Sequence, residues 1–468
     1  MMFFQIMIRR FLMRRAYNSG SWEKARHHAF KIVKRSKEQE LARSVIIRSY
    51  WNQEDTAEVI RLNLLWGNSF EELSMKAKYV SQKAISPNSK VHHPRILKLQ
   101  NGQPRPQNER KEWNDNDIES NFWQEGSRVW MVHPHGWTFW DMPESFSLSS
   151  THPNLLKLTA EILLYPWMNS TKAPFVKTRH IGSLPALAFS AGTDSTAAAL
   201  VMPKNTILGY HRRTFESILD HRNADRLLTH MKEEKGRKVV DISSNHELIR
   251  TYYYKQIGFS SDFSCATHLI LLADHCDIGA LAFGMPLDNT WLAKGRKFRE
   301  FTETPYFKYW TERFLSAGIE LFLPIAGVSE AGAMKICQDS DILPYLNSCL
   351  RGDGIEGCGK CWKCFHKNGP LGRPFDIQAK EIQTFLKRKP LPTATHALWA
   401  LQQLKLESEV PELSSLLKTD LSWWTSSYPP AKEILPLRWR EETWQKIHDF
   451  LTPMNEPYPV ESINHYNE

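Results

Sequence analysis

The sequence has few cysteines for its length and no long apolar run. Seven cysteines occur in 468 residues, and four of them lie together between positions 349 and 364. This excludes a disulfide framework spread along the chain, and a reducing, cytoplasmic compartment is expected. No apolar run reaches the roughly 20 residues that span a bilayer, so no membrane partner is expected.

Acidic residues are missing from the first 22 positions, which carry Arg9, Arg10, Arg14 and Arg15. Such an N-terminus is typical of an organelle transit peptide, which would place the protein in an organelle matrix. The alternatives are a basic surface helix and a start codon placed too far upstream. The arginines interrupt the apolar stretch, which excludes a secretory signal.

The composition is that of a globular protein with a mild excess of positive charge. Hydrophobic residues make up 41% of the chain, and the formal net charge is +9. The length suits two or three domains. The charge suits an anionic partner such as a nucleotide, RNA or an acidic protein surface, although no motif supports a nucleic acid.

Composition and periodicity divide the chain into five regions. They are a basic helical N-terminal region (1–85), a linker or long loop (86–118), a mixed segment of unassigned role (119–183), an α/β region (184–375) and a helical, then Pro- and Trp-rich, C-terminal region (376–468). The three regions before the α/β region lack assignable chemistry, so the functional residues are sought from Leu184 onward.

From Leu184 onward, short apolar runs alternate with helical segments, which predicts an α/β fold with a parallel sheet and helices on both faces. Strands are predicted at 184–190, 206–213, 237–243, 280–284 and 320–327, and helices at 194–202, 214–234, 262–276, 305–317 and 329–339. Ligands bind such sheets at the carboxyl ends of the strands. The first predicted strand ends there in "SAGTDS", Ser190–Ser195.

The "SAGTDS" turn has the composition of a phosphate site. Gly192 allows a close backbone approach, and the helix that begins near Asp194 directs unpaired N–H groups at the same point. Hydroxyl donors come from Ser190, Thr193, Ser195 and Thr196. Asp194 suits a Mg²⁺ ion that bridges it to phosphates, or a helix cap. The turn lacks the lysine of a Walker A loop, and the simplest alternative is an ordinary capped strand–turn–helix connection.

Four cysteines form a second motif, with the spacing C-x8-C-x2-C-x2-C. Thiolates at this spacing can reach one tetrahedral Zn²⁺ ion, and because all four ligands are protein-supplied the site should be structural. An iron–sulfur cluster also accepts four cysteines and stays the alternative. The predicted metal ligands are Cys349, Cys358, Cys361 and Cys364.

The turn resembles "SGGxDS", the pyrophosphate loop of the ATP pyrophosphatases, which adenylate an oxygen with ATP and release pyrophosphate. The resemblance implies ATP and Mg²⁺ as cofactors and an adenine nucleotide alpha hydrolase-like fold. Ala191 replaces a glycine of the motif, which is tolerated only if its φ is negative. His211, after the second strand, is expected near the adenine or ribose. The implied nucleotide-binding residues are Phe189, Ser190, Ala191, Gly192, Thr193, Asp194, Ser195, Thr196 and His211.

The turn and the cysteine loop "CGKCWKC" together resemble the 7-cyano-7-deazaguanine synthase (QueC) family over 184–375. That family converts 7-carboxy-7-deazaguanine to the nitrile with ATP and ammonia, and it carries a zinc held by four cysteines. The resemblance implies catalytic roles for Asp194 and Ser195. Basic residues in "LAKGRKFREF" are the candidates for holding a carboxylate or stabilising charge at the reacting carboxyl: Lys294 and Arg296, with Lys297 and Arg299.

The family's "GRN" and "YPDCR" segments are missing, and long extra segments flank the region of resemblance. The chain therefore looks more like elaborated relatives in antiphage defence operons, to which the attachment of a deazapurine to a protein N-terminus is ascribed. The expectation is an ATP-dependent C–N ligase that forms AMP and pyrophosphate. Its substrate would be a carboxylated deazapurine, and its acceptor ammonia or a co-encoded protein.

Two other functions stay open at this point. A tRNA-modifying ATPase such as a thiolase needs a catalytic cysteine near the loop, whereas Cys265 and Cys276 lie in an apolar helical segment. A non-catalytic scaffold that binds nucleotide is favoured only by Ala191. Asp288 and Asn289 follow the fourth strand, where they could meet a substrate.

Overall fold

The structure is a computed structural model that forms two compact units, 1–102 and 103–468. It describes residues 2–33, 39–53, 55–67, 69–70, 73–74, 94–107, 112–168, 171, 175, 178–216, 219–253, 255–349 and 351–465. Among the helices in these ranges, none combines the length and apolarity that crossing a membrane requires.

The N-terminal unit is helical, with a small core of its own. Its helices are α1 (Met2–Asn18), α2 (Trp22–Val33), α3 (Gln39–Asn52), α4 (Thr56–Leu65) and α5 (Pro94–Asn101). Buried Ala25, Ala29 and Ile46 pack together in that core. Helix α5 lies within the segment predicted as a linker. Pro94 at its first position suits the start of a helix. Residues 34–38, in the basic stretch, and 75–93 lie outside the described residues.

The second unit is built on an eight-stranded, mainly parallel sheet. Its strands are β1 (Phe122–Glu125), β2 (Arg128–His133), β3 (Gly136–Asp141), β4 (Leu184–Ala188), β5 (Ile207–Arg213), β6 (Val239–Ser244), β7 (Ile278–Phe283) and β10 (Glu320–Phe322); a separate hairpin pairs β8 (Leu292–Ala293) with β9 (Lys297–Phe298). The order across the sheet is β1-β2-β3-β6-β5-β4-β7-β10. The predicted α/β class is therefore confirmed.

The strands β6, β5, β4, β7 and β10 run parallel to one another. The three strands at the other edge, β1, β2 and β3, pair antiparallel. The parallel sheet predicted from Leu184 onward is confirmed for these five strands, whereas the antiparallel edge comes from the mixed segment before it. Only two residues separate β1 from β2 and β2 from β3, and such short turns permit only antiparallel pairing. Within the parallel part the chain moves outward from β4 and then returns to β7, so the order reverses between these two neighbours. That reversal is where open α/β sheets bind ligands.

Helices and short helical turns surround the sheet. They are α6 (Pro153–Leu164), α7 (Thr193–Val201), α8 (Arg222–Glu233), α9 (Ile249–Tyr252), α10 (Thr267–Leu271), α11 (Pro305–Ser316), α12 (Glu330–Gln338), a π-helical turn (Cys364–Asn368), α13 (Lys380–Leu386), α14 (Ala394–Gln403) and α15 (Leu437–His448). The helix predicted at 214–234 begins only at Arg222, because the Asp220 carboxylate accepts the Arg222 backbone N–H at 3.0 Å and turns the chain there. The helix predicted at 262–276 is reduced to α10 and the 3₁₀ turn before it.

The C-terminal region completes the core of the second unit. Trp424 and Tyr428 are buried in the same apolar cluster as the strands. The Tyr428 N–H donates to the Gly327 carbonyl at 2.8 Å, and the His465 N–H donates to the Arg296 carbonyl at 2.8 Å. Residues after 375 therefore pack on the α/β region and share its core.

A buried ion pair joins α6 to α11. Glu161 is fully buried, and its Oε2 accepts Arg313 Nε at 2.8 Å and Nη2 at 2.5 Å. Removing one partner of a buried pair strands the other charge, which costs more than an exposed pair contributes.

We predict that Glu161→Ala lowers the free energy of unfolding by about 3 kcal/mol. The matched control is Glu303→Ala, which breaks the exposed Lys308–Glu303 pair and should leave the urea midpoint nearly unchanged. Equal shifts in the two variants would contradict the buried-pair explanation.

Candidate functional site

The "SAGTDS" turn connects β4 to α7 as predicted. The Phe189 N–H donates to the Gly209 carbonyl of β5 at 2.8 Å, which fixes the start of the turn against the neighbouring strand. The hydroxyl oxygens of Ser190 and Ser195 lie 3.1 Å apart across it. Gly192, with φ −88° and ψ 170°, immediately precedes the first residue of α7, and the Thr196 N–H closes the first helical bond on its carbonyl at 2.9 Å.

Ala191 adopts a left-handed backbone conformation, with φ +57°. The expectation of a negative φ is therefore wrong. The chain reverses direction between the strand end and the helix start, and Ala191 makes that reversal although this conformation costs an L-residue about 1–2 kcal/mol. Its methyl group is buried, and this burial offsets part of the cost.

Gly284 lets the turn lie close to the next strand. It follows β7, and a Cβ at this position would stand 2.9 Å from the backbone N and Cα of Ser195. A side chain there would push the first turn of α7 away from the sheet. No sequence motif distinguishes Gly284 from other glycines, so it was not predicted.

A cavity of about 400 Å³ opens beside the turn. Eight of the nine predicted nucleotide-binding residues line it, namely Phe189, Ser190, Ala191, Gly192, Thr193, Asp194, Ser195 and His211. Thr196 is fully buried and lies outside the wall. The volume is within the range of about 300–1,000 Å³ that is usual for small-molecule sites.

His211 belongs to a buried polar group on the cavity wall. Its Nδ1 lies 3.4 Å from Glu247 Oε1, and Arg213 donates to both oxygens of Glu247 at 2.7 and 2.6 Å. Burial opposes the charge of Glu247, but His211 and Arg213 lower its pKa below the usual value. His268, close to His211, has its pKa lowered to about 3 by burial and by His211, so it is neutral at pH 7.

The predicted basic residues lie elsewhere. Arg296 donates to the backbone carbonyls of Leu391 at 2.6 Å and Pro390 at 3.0 Å, so its guanidinium ties the β8–β9 hairpin to residues after 389. Neither Lys294 nor Arg296 is among the described residues that line the cavity. Within that wall, the lysine and arginine side chains are instead Arg213, Lys363 and Lys367.

Lys367 places a buried ammonium at the turn. Its Nζ lies 2.6 Å from Asp194 Oδ1 and 2.9 Å from Glu330 Oε2. Burial alone would lower the pKa of Lys367, but the two carboxylates raise it above its usual value. Burial would likewise raise the pKa of Glu330, yet Lys367 and His366 hold it well below its usual value. Burial raises the pKa of Asp194, although Lys367 opposes that rise. The ammonium therefore stays charged between two carboxyl groups.

Asp288 supports the ion pairs of Lys367 through a hydrogen bond to the backbone of Glu330. It is fully buried, and its Oδ2 accepts the Glu330 N–H at 2.9 Å. Burial and the nearby Glu330 raise its pKa well above the usual value, which favours the neutral acid. The predicted position of Asp288 after the fourth strand is correct, but within the described structure it contacts Glu330 and does not line the cavity.

The four cysteines converge as predicted. The Sγ–Sγ distances are 3.9 Å for Cys349–Cys361, 3.9 Å for Cys358–Cys364 and 3.6 Å for Cys361–Cys364. A tetrahedron with Zn–S bonds of about 2.3 Å has edges of about 3.8 Å, so these sulfurs fit one metal ion. A [4Fe–4S] cluster binds each cysteine to a separate iron, and a [2Fe–2S] cluster binds two cysteines to each of two irons, so both need wider spacing between some of the sulfurs.

Backbone N–H groups and a glycine shape the segment that carries the four cysteines and Lys367, residues 348–368, which is called the metal loop below. The N–H groups of Arg351 and Cys358 approach Cys349 Sγ at 3.3 and 3.2 Å, where they stabilise a thiolate. A Cβ on Gly357 would stand 3.2 Å from Cys364 Sγ and 2.6 Å from Asn368 Nδ2. The loop therefore needs glycine at this position to close around the sulfurs.

The metal loop also contacts the "SAGTDS" turn. Ser348 Oγ accepts the Thr193 N–H at 3.1 Å and lies 2.6 Å from the Thr193 hydroxyl. Cys349 itself lines the cavity, and its carbonyl accepts Asn223 Nδ2 at 2.9 Å. Lys367 lies on the π-helical turn that begins at Cys364. A structural metal at the cysteines would thus help to position two walls of the cavity.

Glu330, His366 and His396 form a second buried set of metal-ligand types. Glu330 Oε2 lies 3.1 Å from His366 Nδ1 and 3.9 Å from His396 Nε2. The Lys367 ammonium already stands 2.9 Å from the same oxygen. A cation is therefore in place opposite this carboxylate, and we assign the set to the ion-pair group.

Residues 309–459 match a family of unknown function (DUF6395), which covers less than half of the chain. The match includes Glu330, the four cysteines and Lys367, and it begins after the "SAGTDS" turn. No curated protein and no solved structure shows significant similarity to this chain.

We predict about one zinc per purified chain. Cys361→Ser should lose the metal and unfold, because a structural site contributes folding free energy. Cys276→Ser, which alters a buried thiol outside the cluster, should keep one zinc. Elemental analysis that finds iron, or no metal in soluble wild type, would overturn this; two zinc ions would place a metal at Glu330 as well.

We predict that Gly284→Ala lowers the free energy of unfolding by about 1–3 kcal/mol, because its Cβ must displace the backbone of Ser195. Gly192→Ala is the control, since its Cβ would make only an ordinary contact of 3.5 Å with Ser190 Oγ. Denaturant unfolding should rank Gly284→Ala as clearly the less stable variant, and the reverse order would refute the packing argument.

Proposed function

We propose that this protein is an ATP-dependent C–N ligase that adenylates a carboxylate, releases pyrophosphate and transfers the acyl group to an amine. The observation that carries the proposal is that the "SAGTDS" turn, the start of α7 and the Lys367 ammonium all face one cavity. This cavity lies where the strand order reverses, at the carboxyl ends of β4 and β7.

The charges at the cavity suit a triphosphate. The turn contains no lysine, but Lys363 and Lys367 reach the same wall from the metal loop. Asp194 is partly exposed, with 30% of its side chain accessible, and can accept a Mg²⁺ ion that also binds phosphate oxygens. Helix α7 adds its first-turn N–H groups. A pyrophosphate leaving group would therefore meet cations and N–H donors together.

The reaction has two steps. A substrate carboxylate oxygen attacks the α-phosphorus, the bond from that phosphorus to the bridging oxygen breaks, and pyrophosphate leaves with Mg²⁺. An amine then attacks the acyl carbon, loses a proton, and AMP leaves. From the resemblance of the two motifs we propose a carboxylated 7-deazapurine, such as 7-carboxy-7-deazaguanine, as substrate. Ammonia or a co-encoded protein's N-terminus would be the acceptor, in an antiphage role.

One observation favours a second candidate, a tRNA-modifying ATPase that transfers sulfur. The apolar helical segment around Cys265 disfavoured this function, but Cys265 lines the same cavity. Burial and the nearby Asp262 raise its pKa to about 12, so it is a protonated thiol and a weak nucleophile at pH 7. The ligase is therefore preferred, and Cys265→Ala should leave AMP formation intact.

We predict AMP and pyrophosphate as the products from ATP, Mg²⁺, 7-carboxy-7-deazaguanine and ammonia. Asp194→Ala and Ser195→Ala should lose turnover by at least about a hundredfold, because each removes a group from the phosphate site. Asp339→Asn, at the exposed end of α12, is the control and should match wild type.

Chromatography of the nucleotides after turnover tests this proposal. ADP as the main product would contradict the proposal, and so would a wild-type turnover rate in Asp194→Ala or Ser195→Ala. A protein that binds ATP but forms neither AMP nor ADP would favour the non-catalytic scaffold.

A further inference from the structure

Lys367 is held between two carboxylates that differ in their freedom to move. Glu330 is buried on α12, with its side chain 8% exposed, its oxygen 3.1 Å from His366 Nδ1 and its backbone N–H bonded to Asp288. Asp194 lies at the cavity, with 30% of its side chain exposed. The inner carboxylate is therefore fixed, whereas the outer one can turn towards the cavity.

Asp194 and Glu330 compete for one ammonium. Lys367 Nζ lies within 3 Å of an oxygen of each carboxyl group. Burial raises the pKa of Asp194, and the charges of Lys367 and Lys363 oppose that rise. A divalent cation at Asp194 would favour its ionised form and would release Lys367 from its outer partner.

We propose that Lys367 is the cation that binds the leaving pyrophosphate and that Asp194 holds its ammonium until Mg²⁺ arrives. The proposal rests on the proposed function, because it assigns a residue to that phosphate site. When Mg²⁺ binds Asp194, Lys367 keeps Glu330 as its buried partner and donates from its freed side to a phosphate oxygen.

The origin of Lys367 explains why the "SAGTDS" turn lacks a lysine. Walker A loops carry their phosphate-binding lysine in the loop itself. Here the ammonium comes from the π-helical turn that follows Cys364, and it reaches Asp194 across the cavity wall. Lys367 lies three positions after Cys364 in sequence, so the four-cysteine site also positions the proposed phosphate-binding ammonium.

Binding of inorganic pyrophosphate to the zinc-loaded full chain, measured calorimetrically with and without Mg²⁺, tests this inference without turnover. Lys367→Met should weaken binding roughly tenfold or more, because a charge-assisted contact is lost. Asp194→Asn should act oppositely without Mg²⁺: it removes a repelling carboxylate and frees the ammonium, so affinity should rise severalfold. The same variant should lose the gain in affinity that Mg²⁺ gives wild type.

Lys335→Met is the control, because it removes an exposed lysine paired with Asp339 on α12 and should bind pyrophosphate like wild type. Wild-type affinity in Lys367→Met overturns the proposal. If that variant does not fold, Asp194→Asn decides, and unchanged or weaker Mg²⁺-free binding overturns it. ADP as the turnover product would defeat the proposed ligase but not this binding result, so the two failures are distinguishable.

Discussion

One buried ammonium, that of Lys367, is the interaction on which the candidate site depends. It pairs with Asp194 on α7 and with Glu330 on α12, and it is itself carried by the metal loop. Three segments that are distant in sequence must therefore meet at one point. A buried charge without a partner is costly, so this requirement fixes how the two helices and the loop pack together.

The metal loop and a glycine supply the precision that the ion pairs need. The four sulfurs fix the path of the loop from Cys349 to Cys364, which sets both Ser348 and Lys367 against the start of α7. Gly284 allows α7 to approach β7 closely. Folding free energy from a metal bound at the cysteines would thus help to hold the groups at the cavity in one arrangement.

Local patterns predicted the parts of the site that are continuous in sequence. The "SAGTDS" turn and the four-cysteine spacing each lie on one short segment, so their chemistry is readable there. Glu330 and Lys367 were missed, because their role depends on contacts with Asp194 that only the fold creates. The predicted negative φ of Ala191 was wrong for the same reason, because the surrounding packing, and not residue type, determines the backbone conformation there. The antiparallel edge was not predicted, because the mixed segment 119–183 was left without a role and was not expected to join the sheet.

The C-terminal region has a consequence for synthesis on the ribosome. Tyr428 bonds to the loop after β10, and His465 bonds to the β8–β9 hairpin. The strands emerge first, but their apolar faces are not fully covered until residues 424–465 have been made. Chains emerge at about 5–20 residues per second, so the nascent sheet is exposed for several seconds. The protein should therefore depend on chaperones more during translation than after its release.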